Sequence, residues 1–179
     1  DGSTSRGWSA NVSCYVISTY YSYQNGNWND PTTWTTDPSG STYVNSSPPS
    51  YPSELDKAVI LNGRTVTVTN NNNSVTQLDI REGAILDVQG TNGHDFGTIM
   101  GMGRLRSTTG DLPEGVYTLF TQAGAGTIEL YDQITTSPTL DKTTFNNLEI
   151  NANSGRTVNI GSTTQINGNL LVKGGVLNI

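Results

Sequence analysis

The most constraining feature of this sequence is a short strand-like segment that recurs along the chain. Gly63-Arg64-Thr65-Val66-Thr67-Val68 returns 92 residues later as Gly155-Arg156-Thr157-Val158-Asn159-Ile160. At the same offset, Leu78-x-Ile80 matches Leu170-x-Val172, and Leu148-x-Ile150 precedes Leu170 by 22 residues. Strand units that recur at intervals of about 20 to 25 residues are typical of a stacked solenoid.

Strand signals dominate the chain after residue 56. Thirteen short runs rich in β-branched and aliphatic residues are separated by Asn and Gly, a pattern typical of strands joined by tight turns. The 26 Thr, 19 Asn, 17 Ser and 20 Gly oppose a helical fold, because these residues form helices poorly. The predicted strands are 58–61, 65–69, 75–80, 84–88, 98–100, 104–106, 116–120, 127–130, 147–150, 157–160, 164–166, 170–172 and 176–179.

We therefore predict an all-β protein, a right-handed parallel β-helix in which residues 57–179 form about six coils of roughly 20 residues each. Leu78 and Ile80 are expected to point inward and Asp79 outward, with the same alternation over 170–172. A β-sandwich is the alternative, but it does not predict the recurrence at 92 residues. The chain ends on an apolar strand, so we expect the coils to continue beyond residue 179 in a longer protein.

Residues 1–56 have a different character from the rest of the chain. They contain all three Trp, six of the eight Tyr and five of the seven Pro. The Pro-rich stretch 46–52 is incompatible with a helix or a central strand. We predict that this segment, with one or two strands within 11–23, forms an aromatic-rich N-terminal cap on the solenoid.

Charge and hydropathy exclude two classes of partner. The net charge is −6 and the nine basic residues are spread thinly, which opposes binding to nucleic acid. No apolar run approaches the length of about 18 residues that a membrane-spanning helix needs, so we expect no membrane insertion. The lone Cys14 lies in a strand-like run and is predicted to be a small buried hydrophobe.

The sequence shows no constellation of catalytic residues. Polysaccharide lyases and hydrolases need clustered carboxylates, whereas the carboxylates here are scattered, and those within strands alternate with apolar neighbours as on a solvated outer face. Asp79, Asp87, Glu129 and Glu149 are of this kind. Arg104 and Arg106 share one strand face and are expected to form ion pairs there. We predict a protein that is not an enzyme.

Metal binding is weakly indicated. His94 has only Asp95 nearby as a second ligand, which is too few for zinc. Calcium suits oxygen-rich loops better, and Asp87, Asp95 and Asp111 are its candidate ligands, although no Asp-x-Asp-x-Asp-Gly loop occurs. We expect no cofactor, with calcium as the one alternative.

Aromatic residues of the cap are the candidate binding residues. Trp and Tyr rings stack on sugars, so Trp28 and Trp34, with Tyr21 and Tyr23, are predicted as a carbohydrate platform. The competing interpretation, which we favour, is that the two Trp plug the open end of the solenoid and bury apolar area where no further coil stacks.

Over about residues 20–179 the chain resembles the large surface proteins that Bacteroidetes bacteria secrete through the type IX system. The first matching block is Gly26-Asn27-Trp28-Asn29-Asp30-Pro31-Thr32-Thr33-Trp34, which follows Tyr20-Tyr21-Ser22. Further matching motifs follow in order: 58–68, 93–97, 103–106, 112–117, 126–130 and 144–150. Some members of that family resemble adhesins that drive gliding motility.

The resemblance implies a very long, repetitive protein exported to the cell surface. On that basis we expect the N-terminal part of a non-enzymatic adhesin, whose stalk displays distal regions for adhesion or gliding. Its expected partners are the secretion or surface-attachment machinery and extracellular polysaccharide. The alternatives are a fragment of a β-helical polysaccharide-active enzyme and a carbohydrate-binding module centred on the cap aromatics.

Overall fold

The protein is a parallel β-helix of about six turns. The computed structural model describes residues 16–132, 139–161 and 163–179, so the predicted strand around Cys14 lies outside the described residues. The strands are β1 (Thr19–Ser22), β2 (Gly26–Asn27), β3 (Trp34–Thr35), β4 (Lys57–Ile60), β5 (Thr65–Thr67), β6 (Gln77–Ile80), β7 (Ile85–Gln89), β8 (Asp95–Gly101), β9 (Arg104–Ser107), β10 (Glu114–Val116), β11 (Thr127–Asp132), β12 (Thr144–Phe145), β13 (Asn147–Ala152), β14 (Thr157–Asn159), β15 (Gln165–Ile166), β16 (Leu170–Gly174) and β17 (Val176–Asn178).

Two long sheets form most of the solenoid, and the first of them ends at β10. The first has the order β10-β8-β6-β4-β1-β3 and the second the order β16-β13-β11-β9-β7-β5-β2, so successive coils add one strand to each. Two short pairs, β12-β15 and β14-β17, belong to the last coils. Within the described residues, every strand pair is parallel except β1-β3, which is antiparallel and lies at the end of the first sheet. The prediction of a parallel β-helix is confirmed, and the β-sandwich alternative is wrong.

The coil period matches the predicted spacing. Lys57 pairs with Gln77, 20 residues on, and Arg104 pairs with Thr127, 23 residues on. Leu148 pairs directly with Leu170, as the recurring Leu-x-Ile/Val motif indicated.

The 92-residue recurrence has a different origin from the one expected. Gly63 precedes β5 of the second long sheet, whereas Gly155 precedes β14, which lies outside that sheet and pairs with β17 and with Thr139. Both glycines have positive φ, 74° and 78°, and each lies two residues before a strand. The two segments are therefore the same strand–turn–strand unit placed on different faces, and 92 residues is not a whole number of coils.

One hydrophobic core runs through the solenoid. It extends from Tyr20 in the first coil to Ile160 near the last, without a break at residue 56. Leu78 and Ile80 have no exposed surface, in agreement with the predicted inward positions. Leu170 and Val172 were predicted inward too, but they are 43% and 44% exposed, because β16 is the end strand of its sheet. β1 and β2 add strands to both long sheets, so residues of the predicted cap form the first coil as well as covering it.

The strand predicted over 116–120 is wrong. β10 ends at Val116, and Thr118–Thr121 form the short helix α1, whose Phe120 is fully buried. The amides of Phe120 and Thr121 donate to the Tyr117 carbonyl oxygen, at 2.8 and 2.9 Å. The ring of Phe120 fills the space where a side chain at Gly126 would lie, so tertiary packing overrides the β-propensity of the segment. Neither α1 nor the 3₁₀ helix Pro31–Thr33 is long enough to cross a membrane.

Candidate functional site

A column of charged side chains crosses the outer face of the second sheet. Strand register stacks Asp87, Arg106, Glu129 and Glu149 on four successive coils. Arg104, Tyr131 and Lys173 project from the same sheet and contact this column. We call these seven residues the ion-pair ladder. The spacings between its stacked members are 19, 23 and 20 residues, which are the coil periods.

Arg104 joins the two stacked glutamates of the ladder. Glu129 and Glu149 are direct neighbours on β11 and β13, an arrangement that is destabilising for like charges. The Nη1 atom of Arg104 lies 3.0 Å from Glu129 Oε2 and 3.1 Å from Glu149 Oε2, and Lys173 Nζ lies 2.6 Å from Glu149 Oε1. Two cations therefore compensate two adjacent carboxylates.

The other end of the ladder is built around Arg106. Its guanidinium lies over the Tyr131 ring, with Cζ 3.6 Å from the ring centroid, and its Nε lies 3.7 Å from Asp87 Oδ2. The Tyr131 hydroxyl donates to the Asp87 carboxylate, 2.9 Å from each oxygen. Burial, with the Asp87 carboxylate as a second cause, raises the pKa of Tyr131 to about 12, so its hydroxyl stays a donor.

The prediction that these glutamates lie on the outer face is therefore correct, but the prediction that they are solvated is wrong. Glu129 and Glu149 do point away from the core, yet they are only 6% and 5% exposed, because the long Arg and Lys side chains cover them. Burial raises the pKa of Glu149, but hydrogen bonds from Lys173 and Arg104 outweigh it and hold the pKa below its usual value. A general acid for glycoside cleavage needs the opposite shift. The ladder therefore holds the coils together by ion pairs in which opposite charges compensate each other.

Four aromatic rings stack at the junction of the cap and the coils. Trp28 packs edge-on against Trp34, with centroids 5.2 Å apart, and lies against Phe96 at 5.0 Å. His94 stacks on Phe96 at 5.4 Å with an interplanar angle of 8°. Both indoles have no exposed surface, so neither offers a ring face to a sugar, and their position agrees with the plug interpretation.

His94 is held neutral inside this stack. The Asn73 backbone amide donates to its Nδ1 at 3.2 Å, so Nε2 carries the proton and donates to Thr91 Oγ1 at 2.9 Å. Burial lowers its pKa, and the nearby Asp111 carboxylate opposes that effect in part.

The two remaining residues predicted to bind carbohydrate, Tyr21 and Tyr23, are half-buried, whereas the indoles are fully buried. Tyr21 is half-buried and lines an open groove of about 500 Å³ with Leu61, Arg81 and Glu82. Tyr23 is half-buried and packs on Tyr43, with ring centroids 5.4 Å apart. The four aromatics therefore do not form one platform.

Two of the three predicted calcium ligands are engaged by other groups of the chain. In the ladder, the Asp87 carboxylate accepts a hydrogen bond from the Tyr131 hydroxyl and forms an ion pair with Arg106. Asp95 Oδ1 accepts a hydrogen bond from the Gly97 amide at 3.0 Å. Asp111 is exposed beside His94. Among the described residues, no three His, Cys, Asp or Glu side chains lie together in an arrangement suited to a metal ion.

A polar groove of about 420 Å³ lies where the cap meets the first coils. Its lining comes from three segments: Asn29, residues 51–54 and residues 70–74. We call it the asparagine groove. Sequence reasoning missed it because the segments are far apart along the chain; the run of four Asn at 70–73 was the available signal.

Comparisons with known proteins give no further guide. No protein-family model, curated protein or solved structure matches this chain.

Proposed function

We propose that this chain is a non-enzymatic part of a large secreted cell-surface adhesin, in which the β-helix is a stalk that displays adhesive regions for adhesion or gliding. The proposal places it outside the outer membrane, in contact with secretion or surface-attachment machinery and with extracellular polysaccharide. The proposal is based on the order of the sequence motifs, which resembles that in type IX-secreted surface proteins of Bacteroidetes.

The observation that carries the proposal is the in-register stacking of about six turns. Each coil extends the stack by about 4.8 Å, so the described coils span roughly 30 Å. The ion-pair ladder ties β7, β9, β11, β13 and β16 together on the outside of this rod. A stalk needs this combination of length and stiffness.

The charged residues support a structural role over a catalytic one. Glu129 and Glu149 share the guanidinium of Arg104, and the lowered pKa of Glu149 favours a permanent carboxylate. These groups hold the coils together and do not supply a proton to a leaving group.

Surface labelling of intact cells that carry the native gene tests the proposal. An antibody raised against the folded chain is expected to label cells from outside, and external protease is expected to abolish the label. In-frame deletion of residues 1–179 is expected to reduce adhesion or gliding. Antigen confined to the cell interior, or unchanged adhesion and gliding after deletion, would contradict the proposal.

The enzymatic alternative has its own readout. The purified protein is incubated with pools of neutral and acidic polysaccharides, and new reducing ends and unsaturated uronates are measured. We expect neither product to exceed the level of a heat-denatured control. If the parent protein formed product and a Glu149→Gln variant did not, the chain would be an enzyme whose site is the ladder, and the stalk proposal would be wrong.

A further inference from the structure

The geometry points to a second functional feature: the asparagine groove is a binding site for a neutral saccharide. The inference does not depend on the role of the stalk, because it concerns the chemistry of one groove. It also uses different residues from the cap aromatics Trp28 and Trp34, which are buried.

One side of the groove is fixed before any ligand arrives. Asn73 is 7% exposed, and its Nδ2 donates to the Asn70 carbonyl oxygen at 2.6 Å. Its Oδ1 accepts from Asn29 Nδ2 at 2.7 Å, and its backbone amide is held by His94. The asparagine turn is therefore locked in place, which lowers the entropy cost of binding.

The opposite segment is fixed by Asp56. Its Oδ2 accepts from the amide and hydroxyl of Ser53, at 3.0 and 2.8 Å, and its Oδ1 accepts from the Ser18 amide at 3.0 Å. Asp56 is itself buried, so this turn has a defined position relative to β4. The groove is thus preformed on both of its main segments.

One polar atom in the lining has no partner. Asn29 Oδ1 is buried and accepts no hydrogen bond from the described residues. A buried acceptor without a donor is destabilising, so a hydroxyl that reaches this atom from the groove gains a hydrogen bond. The Asn70 and Asn72 side chains beside it are exposed and offer amide donors and acceptors. Sugar hydroxyls both donate and accept hydrogen bonds, so they match this mixture of donors and acceptors.

Charge and shape narrow the ligand class. Glu54 is the one charged residue among the described lining, and no Lys or Arg joins it, so an anionic polysaccharide finds no counter-charge. The Tyr51 side chain in the lining is 37% exposed and supplies an apolar ring for stacking on a pyranose face. The volume of about 420 Å³ falls within the range of roughly 300–1,000 Å³ typical of ligand sites.

Saturation-transfer NMR on the 179-residue protein tests the inference. The probes are cellohexaose, laminarihexaose, xylohexaose and mannohexaose, with an oligogalacturonate as the anionic comparison. At least one neutral probe is expected to bind, and Tyr51→Ala is expected to weaken that binding at least about tenfold. Tyr43→Ala is the matched control, because Tyr43 is 40% exposed and lies outside the groove lining. It is expected to change the affinity less than about twofold.

A second variant keeps the test valid if Tyr51→Ala unfolds. Asn72 has a φ of 61°, so Asn72→Gly removes the amide while retaining the backbone conformation. It too is expected to weaken binding at least about tenfold, with a thermal midpoint close to that of the parent.

Three results would overturn the inference. They are the absence of binding by all four neutral probes, preferential binding of the oligogalacturonate, and equal losses in Tyr51→Ala and Tyr43→Ala. Binding that disappears on chelation of divalent cations would be a fourth such result, because the groove would then be a metal site. None of these results bears on surface labelling or adhesion, so this inference and the stalk proposal fail separately.

Discussion

Arg104 reaches across an intervening strand to Glu149. The two residues lie on β9 and β13, with β11 between them, yet Arg104 Nη1 is 3.1 Å from Glu149 Oε2 and 3.0 Å from Glu129 Oε2. One guanidinium thus connects three consecutive coils, and it does so where two carboxylates stack directly on each other.

Removal of this guanidinium is expected to destabilise the protein. In Arg104→Gln, Glu129 and Glu149 stay buried beside each other with one cation fewer. We expect a loss of about 2–3 kcal/mol in the free energy of unfolding, between the values typical of exposed and buried pairs. Denaturant unfolding followed by circular dichroism measures it.

The control for the Arg104 variant is another arginine of the same chain. Arg81 Nε lies 2.8 Å from Asp79 Oδ2, but the Arg81 side chain is 58% exposed. Arg81→Gln is expected to cost less than about 1 kcal/mol. Equal losses in the two variants would contradict the special role of Arg104.

The buried indoles are expected to stabilise the cap. Trp28→Ala and Trp34→Ala each leave a cavity in a fully buried aromatic cluster, so we expect losses of about 3–5 kcal/mol in the free energy of unfolding. Thermal and denaturant unfolding measure the losses, with the exposed Tyr43→Ala as control at below about 1 kcal/mol. Unchanged stability in the Trp variants would exclude the plug interpretation.

Stability is expected to depend on pH through His94. Its pKa is lowered in the folded protein, so the unfolded chain binds the proton more tightly. The stabilisation is complete above the unfolded pKa of about 6.5 and is lost as the pH falls below it. Protonation also turns Nδ1 into a donor facing the Asn73 amide.

The measurement is the thermal midpoint between pH 7.5 and 5. We expect it to fall across this range in the parent protein and to fall less in His94→Gln. An identical pH profile for the two proteins would exclude His94 as the cause.

Two glycines allow the effect of close packing between coils to be distinguished from the effect of backbone strain. Gly101 and Gly155 both have positive φ, 110° and 78°. A Cβ at Gly101 would collide with the Ile80 carbonyl oxygen on the neighbouring coil, whereas a Cβ at Gly155 meets nothing within 4 Å. Gly155→Ala is therefore expected to cost about 1 kcal/mol from strain alone, and Gly101→Ala clearly more. Equal costs, measured by denaturant unfolding, would contradict the close approach of the coils.

The fold was predictable because its signal is local and repeated. Each strand–turn–strand unit carries its own alternation, as in Leu78 and Ile80, and the 22-residue step from Leu148 to Leu170 is one true coil. The face that a unit occupies depends on the turns that precede it. The 92-residue match between Gly63 and Gly155 therefore identified the unit and misplaced its face.

The site was less predictable because it depends on neighbours along the stack. Asp87, Arg106, Glu129 and Glu149 look scattered in the sequence, although their spacings are coil periods. Alternation predicts that such residues point outward, but their burial comes from arginine and lysine side chains of other coils. Charge pairs spaced by one coil are the signal that would have revealed the ladder.

The stacking of coils sets the distance between residues of one column. Thr67 and Leu171 are joined by a column through Asp87, Arg106, Glu129 and Glu149, which makes five strand-to-strand steps. Thr19 and Val116 on the other long sheet are joined through Lys57, Gln77 and Thr98, which makes four. At about 4.8 Å per step, the two pairs lie about 24 Å and 19 Å apart.

Spin-label distances measured by pulsed electron resonance test this claim most directly. Cysteines that carry the labels replace Thr67 and Leu171 in one protein and Thr19 and Val116 in another, both in a Cys14→Ser background. The parallel β-helix predicts backbone separations of about 24 Å and 19 Å, which differ by one coil. Distances that show no increase with the number of intervening strands would contradict the stacked solenoid and the stalk built on it.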